Sequence, residues 1–86
     1  DKVGAYDRMV ESVDKNVGRV LASLSPEVLD RTIVIFLGDN GTPSDVLGEP
    51  AKRFTNELGV NVPLIVAGPG IAPQEVRGLA EVVDLY

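Results

Sequence analysis

The sequence predicts an α/β fold. Three observations carry that expectation: an amphipathic stripe over Val3 to Leu24, a β-branched and apolar run at Thr32 to Leu37, and a second apolar run at Leu64 to Ala67 beyond a long polar stretch. Helix, strand, loop, strand is the order of elements in α/β proteins.

In the first element, Met9, Val10, Val13, Val17, Val20, Leu21 and Leu24 recur in steps of three and four, which places them on one face of a helix. Gly18 interrupts the stripe, and the expected reason is close packing of the helix against a sheet. Ser25-Pro26-Glu27 is a helix-start signal, with a hydroxyl N-cap, proline in the first turn and an acid beside it. That second helix must be short, because Asp30-Arg31 leads into Thr-Ile-Val-Ile-Phe-Leu. A strand that is apolar on both faces is covered on both sides, as in a parallel sheet flanked by helices. One long helix cannot cover both faces, so the remaining cover is expected from chain outside these residues.

From Gly38 to Gly59 no periodicity emerges, and a loop of that length in a compact domain is usually functional or disordered. Pro63 then suits the start of a strand at Leu64-Ile65-Val66-Ala67, and Gly68-Pro69-Gly70 punctuates its end. The last stretch, Leu79 to Tyr86, is expected to be a short strand turning into a helix at Asp84. Because the sequence starts at Asp1 and stops at Val83-Asp84-Leu85-Tyr86, residues 1–86 are expected to be an internal fragment of one domain.

Composition narrows the chemistry. The net charge is −5 with no run of like charges, which argues against nucleic acid, since phosphate neutralisation needs clustered Lys and Arg. No apolar stretch is long enough to span a membrane. Histidine and cysteine are both absent, which removes the commonest general base, the thiol nucleophile and the soft metal ligands. Chemistry here runs on carboxylates, amides, hydroxyls, Lys and Arg, and an all-oxygen donor set favours calcium or magnesium.

Ligands collect at the carboxyl ends of strands in open α/β sheets. At that position the sequence places Gly38-Asp39-Asn40-Gly41. The glycines permit a tight bend, leaving a carboxylate and an amide carbonyl as neighbouring hard oxygen donors. They supply part of a calcium shell of about six to eight oxygens, and further carboxylates must complete it. The same residue types also make an ordinary turn, Asn-Gly being a common turn pair. An EF-hand is excluded, because its alternating acidic positions are missing.

Asp39-Asn40-Gly41 after an apolar strand resembles the strand-end motif of sulfatases, within the alkaline-phosphatase-like superfamily. Tyr6 through Leu24, with Val13-Asp14 and Val17-Gly18-Arg19-Val20-Leu21, resembles the helix preceding that strand. Lys52, Glu57, Gly59, Val60, Val62 and Pro63 match the spacing of the family's Lys…Glu-Gly-Gly-(Ile/Val)-x-Val-Pro segment. Leu64-Ile65-Val66, Gly68-Pro69-Gly70 and Val83-Asp84-Leu85-Tyr86 continue the likeness. Two positions depart: Leu58-Gly59 stands for the Gly-Gly pair, and Asn61 for a frequent arginine.

The resemblance implies part of a mixed sheet flanked by helices, and a sulfuric ester hydrolase acting through attack of a hydrated formylglycine on sulfur. It implies Asp39 and Asn40 as two ligands of one divalent cation, calcium above others, and Lys52 as the catalytic lysine on the sulfate oxygens. Glu57 is expected to anchor the loop. The formylglycine motif Cys/Ser-x-Pro-Ser-Arg does not occur in these residues, Thr42-Pro43-Ser44-Asp45 being a superficial echo, and it is expected upstream. The isolated segment is accordingly expected to be inactive. The implied substrate is a sulfated small molecule or glycan, and the implied setting is export or a lysosome-like compartment. Alternatives are a phosphodiesterase, phosphonate hydrolase or phosphoglycerol transferase of the same superfamily, or a non-catalytic α/β interaction module whose Asp-Asn-Gly is only a turn.

Overall fold

The structure is a computed structural model that describes residues 1–42, 46 and 55–85. Helix α1 spans Lys2–Ala22, α2 Pro26–Leu29, strand β1 Val34–Leu37, helix α3 Glu57–Val60, strand β2 Leu64–Ala67, and a 3₁₀ turn Val82–Leu85. This is an α/β arrangement.

Helix α1 starts where Asp1 accepts a hydrogen bond from the Val3 N–H at 3.2 Å, satisfying one of the first-turn donors. It closes at Ser23, whose backbone N–H reaches the Arg19 carbonyl at 3.1 Å. Ser25 caps α2 through the Val28 N–H, and Pro26 occupies the first helical position as expected. Strand β1 begins later than the sequence suggests, at Val34. Thr32 is held back: its hydroxyl donates to the Val28 carbonyl at 2.6 Å and its N–H to the Leu29 carbonyl at 3.1 Å. Those bonds tie Thr32 to the end of α2, so it cannot join the ladder.

The sheet departs from the expected parallel character. Strands β1 and β2 pair antiparallel, with Val34 opposite Ala67, Ile35 opposite Val66, Phe36 opposite Ile65 and Leu37 opposite Leu64. An antiparallel pair is admissible in a mixed sheet. The carboxyl end of β1 therefore lies beside the amino end of β2.

Two further expectations are corrected. The stretch to Gly59 is not all loop, since α3 forms at its end, capped by Asn56. No strand forms at Leu79 onward among the described residues. The 3₁₀ turn begins at Val82 instead, with the Glu81 N–H donating to the Asp84 carboxylate at 2.6 Å and the Asp84 N–H to the Glu81 carbonyl at 3.0 Å.

The apolar faces stay open. Total accessible surface is 7387 Å², about one and a half times the ~4,900 Å² of a compact monomer of this mass. The radius of gyration is 15.5 Å, against ~12 Å for a compact domain of this length. Met9, Val10, Val13 and Val20 on α1 are exposed, as are Ile35, Phe36 and Leu37 of β1. Among the described residues a Cβ added at Gly18 would meet no other element within 4 Å, so they do not supply the close packing expected there. No helix among the described residues is long and apolar enough to cross a membrane.

Candidate metal centre

The Gly38-Asp39-Asn40-Gly41 turn is fixed at both ends to the segment that carries α3 and β2. The Gly38 N–H donates to the Pro63 carbonyl at 2.9 Å, extending the β1–β2 ladder by one step. The Gly41 N–H donates to the Gly59 carbonyl at 3.0 Å. A side chain would be tight at Gly38 and has no room at Gly41. A Cβ on Gly38 would lie 3.0 Å from Val62 Cβ, and one on Gly41 would overlap the Leu58 carbonyl oxygen. Positive φ is found at Gly68 and Gly70, not at these two. The chain bends at Asp39 and Asn40 as the sequence suggests, and Gly41 in addition serves a close approach of two backbones.

Helix α3 is what Gly41 leans on, and it is short enough to need its caps. Asn56 Oδ1 accepts from the Gly59 N–H at 3.0 Å, and the Asn56 carbonyl accepts from the same N–H at 2.9 Å. At the other end, the Asn61 side-chain amide donates to Glu57 Oε1 at 2.7 Å. Glu57 therefore makes a local bond across α3, within the segment that it is expected to anchor. Asn61, which replaces a frequent arginine of the resembled family, closes that contact. Gly59 is buried where α3 meets the turn.

A third tether comes from α1. Tyr6 Oη and Thr42 Oγ1 lie 3.1 Å apart and share a part-buried hydrogen bond across 36 residues of sequence. Sequence reasoning assigned Tyr6 no role, and a tyrosine at a helix's polar boundary gives no signal of its own. Asn56 followed by Glu57 could have been found, being a cap residue followed by an acid in the first turn.

The two predicted ligands sit side by side on this fixed turn, Asp39 exposed and Asn40 half-buried. They line different cavities. Asp39 borders one of about 240 Å³ that also holds Glu81, and Asn40 one of about 380 Å³ that also holds Tyr6, Thr42, Glu57 and Asn61. Among the described residues no group of three or more Asp, Glu, His or Cys could hold a metal ion. The donor chemistry of the pair suits a hard cation, but it gives two side-chain oxygens of a larger shell. Lys52 lies outside the described residues, as do Pro43, Ser44 and Asp45.

Comparison with known proteins accounts for the whole length. The family model described as Sulfatase matches residues 1–86. Choline-sulfatase of Rhizobium meliloti (strain 1021) is 38% identical over 73 residues, covering 80% of this chain and 14% of its own length. Arylsulfatase K of Mus musculus is 32% identical over 83 residues, covering 94% of this chain and 15% of its own length. The Canis lupus familiaris protein of the same name is 31% identical over 83 residues, with 94% and 16% covered. The chain thus spans 14–16% of the length of these relatives. No solved structure matches it.

Proposed function

The chain belongs to the sulfatase family, and from that membership we propose that the protein carrying it is a metal-dependent hydrolase of sulfuric esters. In this reading Asp39 and Asn40 are two side-chain ligands of one divalent cation, calcium above others, and Lys52 contacts the sulfate oxygens. The observation that carries it is the doubly clamped turn. Hydrogen bonds at Gly38 and Gly41 hold two adjacent oxygen donors at the carboxyl end of β1.

The physical logic is preorganisation. A cation site needs donors that do not have to be ordered when the ion arrives, and a turn fixed at both ends has already met that cost. That preorganisation is of the main chain: Asp39 is exposed and Asn40 half-buried, and their side chains are left to be oriented by the ion and its other ligands. The cation would supply Lewis acidity toward a sulfate oxygen. A lysine ammonium beside that oxygen would offset charge gathering on the transferring group. The remaining ligands and the nucleophile belong to other parts of the polypeptide. The substrate class in this reading is a sulfated small molecule or glycan; the relatives' names, choline-sulfatase and arylsulfatase K, support a sulfate ester.

The test uses the full-length protein, stripped with EDTA and titrated with calcium. Wild type should gain about 2.7 kcal/mol of stability at one hundred times its Kd. Asp39→Ala should lose that gain together with sulfate-ester hydrolysis, and Lys52→Ala should lose hydrolysis while keeping the calcium response. Retention of calcium-linked stabilisation and activity in Asp39→Ala would favour the turn-only reading. Preferential turnover of a phosphodiester over the matching sulfate ester would favour the phosphodiesterase alternative.

A further inference from the structure

Three contacts hold the Asp39–Asn40 turn, and they come from different places. Gly38 is tied to Pro63 at the start of β2, and Gly41 to Gly59 in α3. These two anchors are backbone to backbone and belong to one continuous segment. The third is unlike them. It joins side chains, and it reaches the turn from α1, an element that makes no extensive packing with β1, α3 or β2.

From this arrangement we infer that Tyr6 is a positioning residue for the proposed cation ligands, acting through its hydrogen bond to Thr42. The inference rests on the metal reading of Asp39 and Asn40. Thr42 directly follows Gly41, so fixing its side chain fixes the backbone leaving the turn. Threonine is β-branched and stiff at χ1, so a bond to its hydroxyl passes to the main chain with little slack. Tyrosine is rigid, with two side-chain torsions, and it projects here from a 21-residue helix capped at both ends by Asp1 and Ser23. Tyr6 is half-buried between exposed neighbours, Ala5 and Asp7, and it borders the same cavity as Asn40 and Thr42. Groups that orient metal ligands from behind commonly change metal affinity without touching the ion.

The bond is local, so it can be removed without reshaping the fold. Tyr6→Phe deletes one hydroxyl, Thr42→Val deletes its partner, and the double variant removes both. In the full-length protein, calcium affinity by titration calorimetry should fall about fivefold in each single variant, the share one such hydrogen bond commonly contributes. The double variant should fall no further than either single one, because both changes break the same bond. Melting temperature in EDTA should fall by no more than the loss of one hydrogen bond accounts for.

Unchanged calcium affinity in Tyr6→Phe overturns the inference, and so does a double variant whose losses add. A lowered melting temperature in EDTA with unchanged affinity assigns Tyr6 to fold stability alone and overturns it equally. Asp39→Ala, run alongside, separates the two levels. Wild-type affinity in Asp39→Ala removes the metal reading and the inference with it. Lost affinity there with an unaffected Tyr6→Phe removes only the inference.

Discussion

Replacing Gly41 by alanine is the sharpest test of the clamped turn. The added Cβ would overlap the Leu58 carbonyl oxygen and sit 2.8 Å from Gly59 Cα. Both neighbours are backbone, so no side chain can swing aside. Separating Cβ and oxygen to an ordinary contact takes more than ~1 Å of main-chain movement, and overpacking of that kind costs about 1–3 kcal/mol. The same movement breaks the Gly41 N–H bond to the Gly59 carbonyl, which adds about 1 kcal/mol. A local loss of about 2–4 kcal/mol corresponds to exchange roughly 30- to 700-fold faster for amides that open with the clamp. Hydrogen–deuterium exchange on the full-length protein reads this directly, through peptides covering residues 38–42 and 57–61. Peptides from α2 serve as the internal control, since distant sites behave independently. Exchange within about threefold of wild type in both segments would refute the steric argument.

Other outcomes follow from the same geometry. Asn56→Ala should destabilise α3 by about 1 kcal/mol through loss of its cap, visible as faster exchange at residues 57–61. Glu27 has its pKa lowered, first by a hydrogen bond from its own backbone and then by the Ser25 hydroxyl. A depressed carboxylate stabilises the fold above the ordinary glutamate range and ceases to as pH falls through the lowered value. A carbon-detected NMR titration should therefore place the Glu27 midpoint below that of an unstructured glutamate. The isolated 86-residue peptide should show no cooperative thermal transition by circular dichroism, because Met9, Val20 and Ile65 remain 66%, 62% and 58% exposed. A sharp, reversible melt of that peptide would contradict the account of its open faces.

Much of the framework was legible where a signal is local. Ser25-Pro26 marked the start of α2, and Leu64 to Ala67 became β2 with both ends as expected. The stripe of α1 was equally plain, because periodicity needs only the sequence itself. What failed depends on distant residues. The direction of β2 relative to β1 is not encoded in an apolar run, which fits parallel and antiparallel neighbours alike. Thr32 has strand propensity, yet its hydroxyl found the Val28 carbonyl first. Helix α3 escaped notice because one turn is too short for a stripe and its cap sits among loop residues. At the site, the turn residues could be named from Asp39-Asn40-Gly41, but not the reason for Gly41. That reason lies some twenty residues away, in the Leu58–Gly59 peptide that leaves no space for a side chain.

The hydrogen bond from Gly41 to Gly59 also governs chemical ageing. An asparagine followed by glycine is prone to cyclise, its neighbour's nitrogen displacing ammonia from the side-chain amide, after which water opens the ring to aspartate or isoaspartate. At Asn40 that nitrogen is already engaged with the Gly59 carbonyl, and it must abandon this partner before it can attack. The lifetime of the amide is thereby set by how seldom α3 lifts away, so damage should accumulate in protein that has breathed and spare protein that has not.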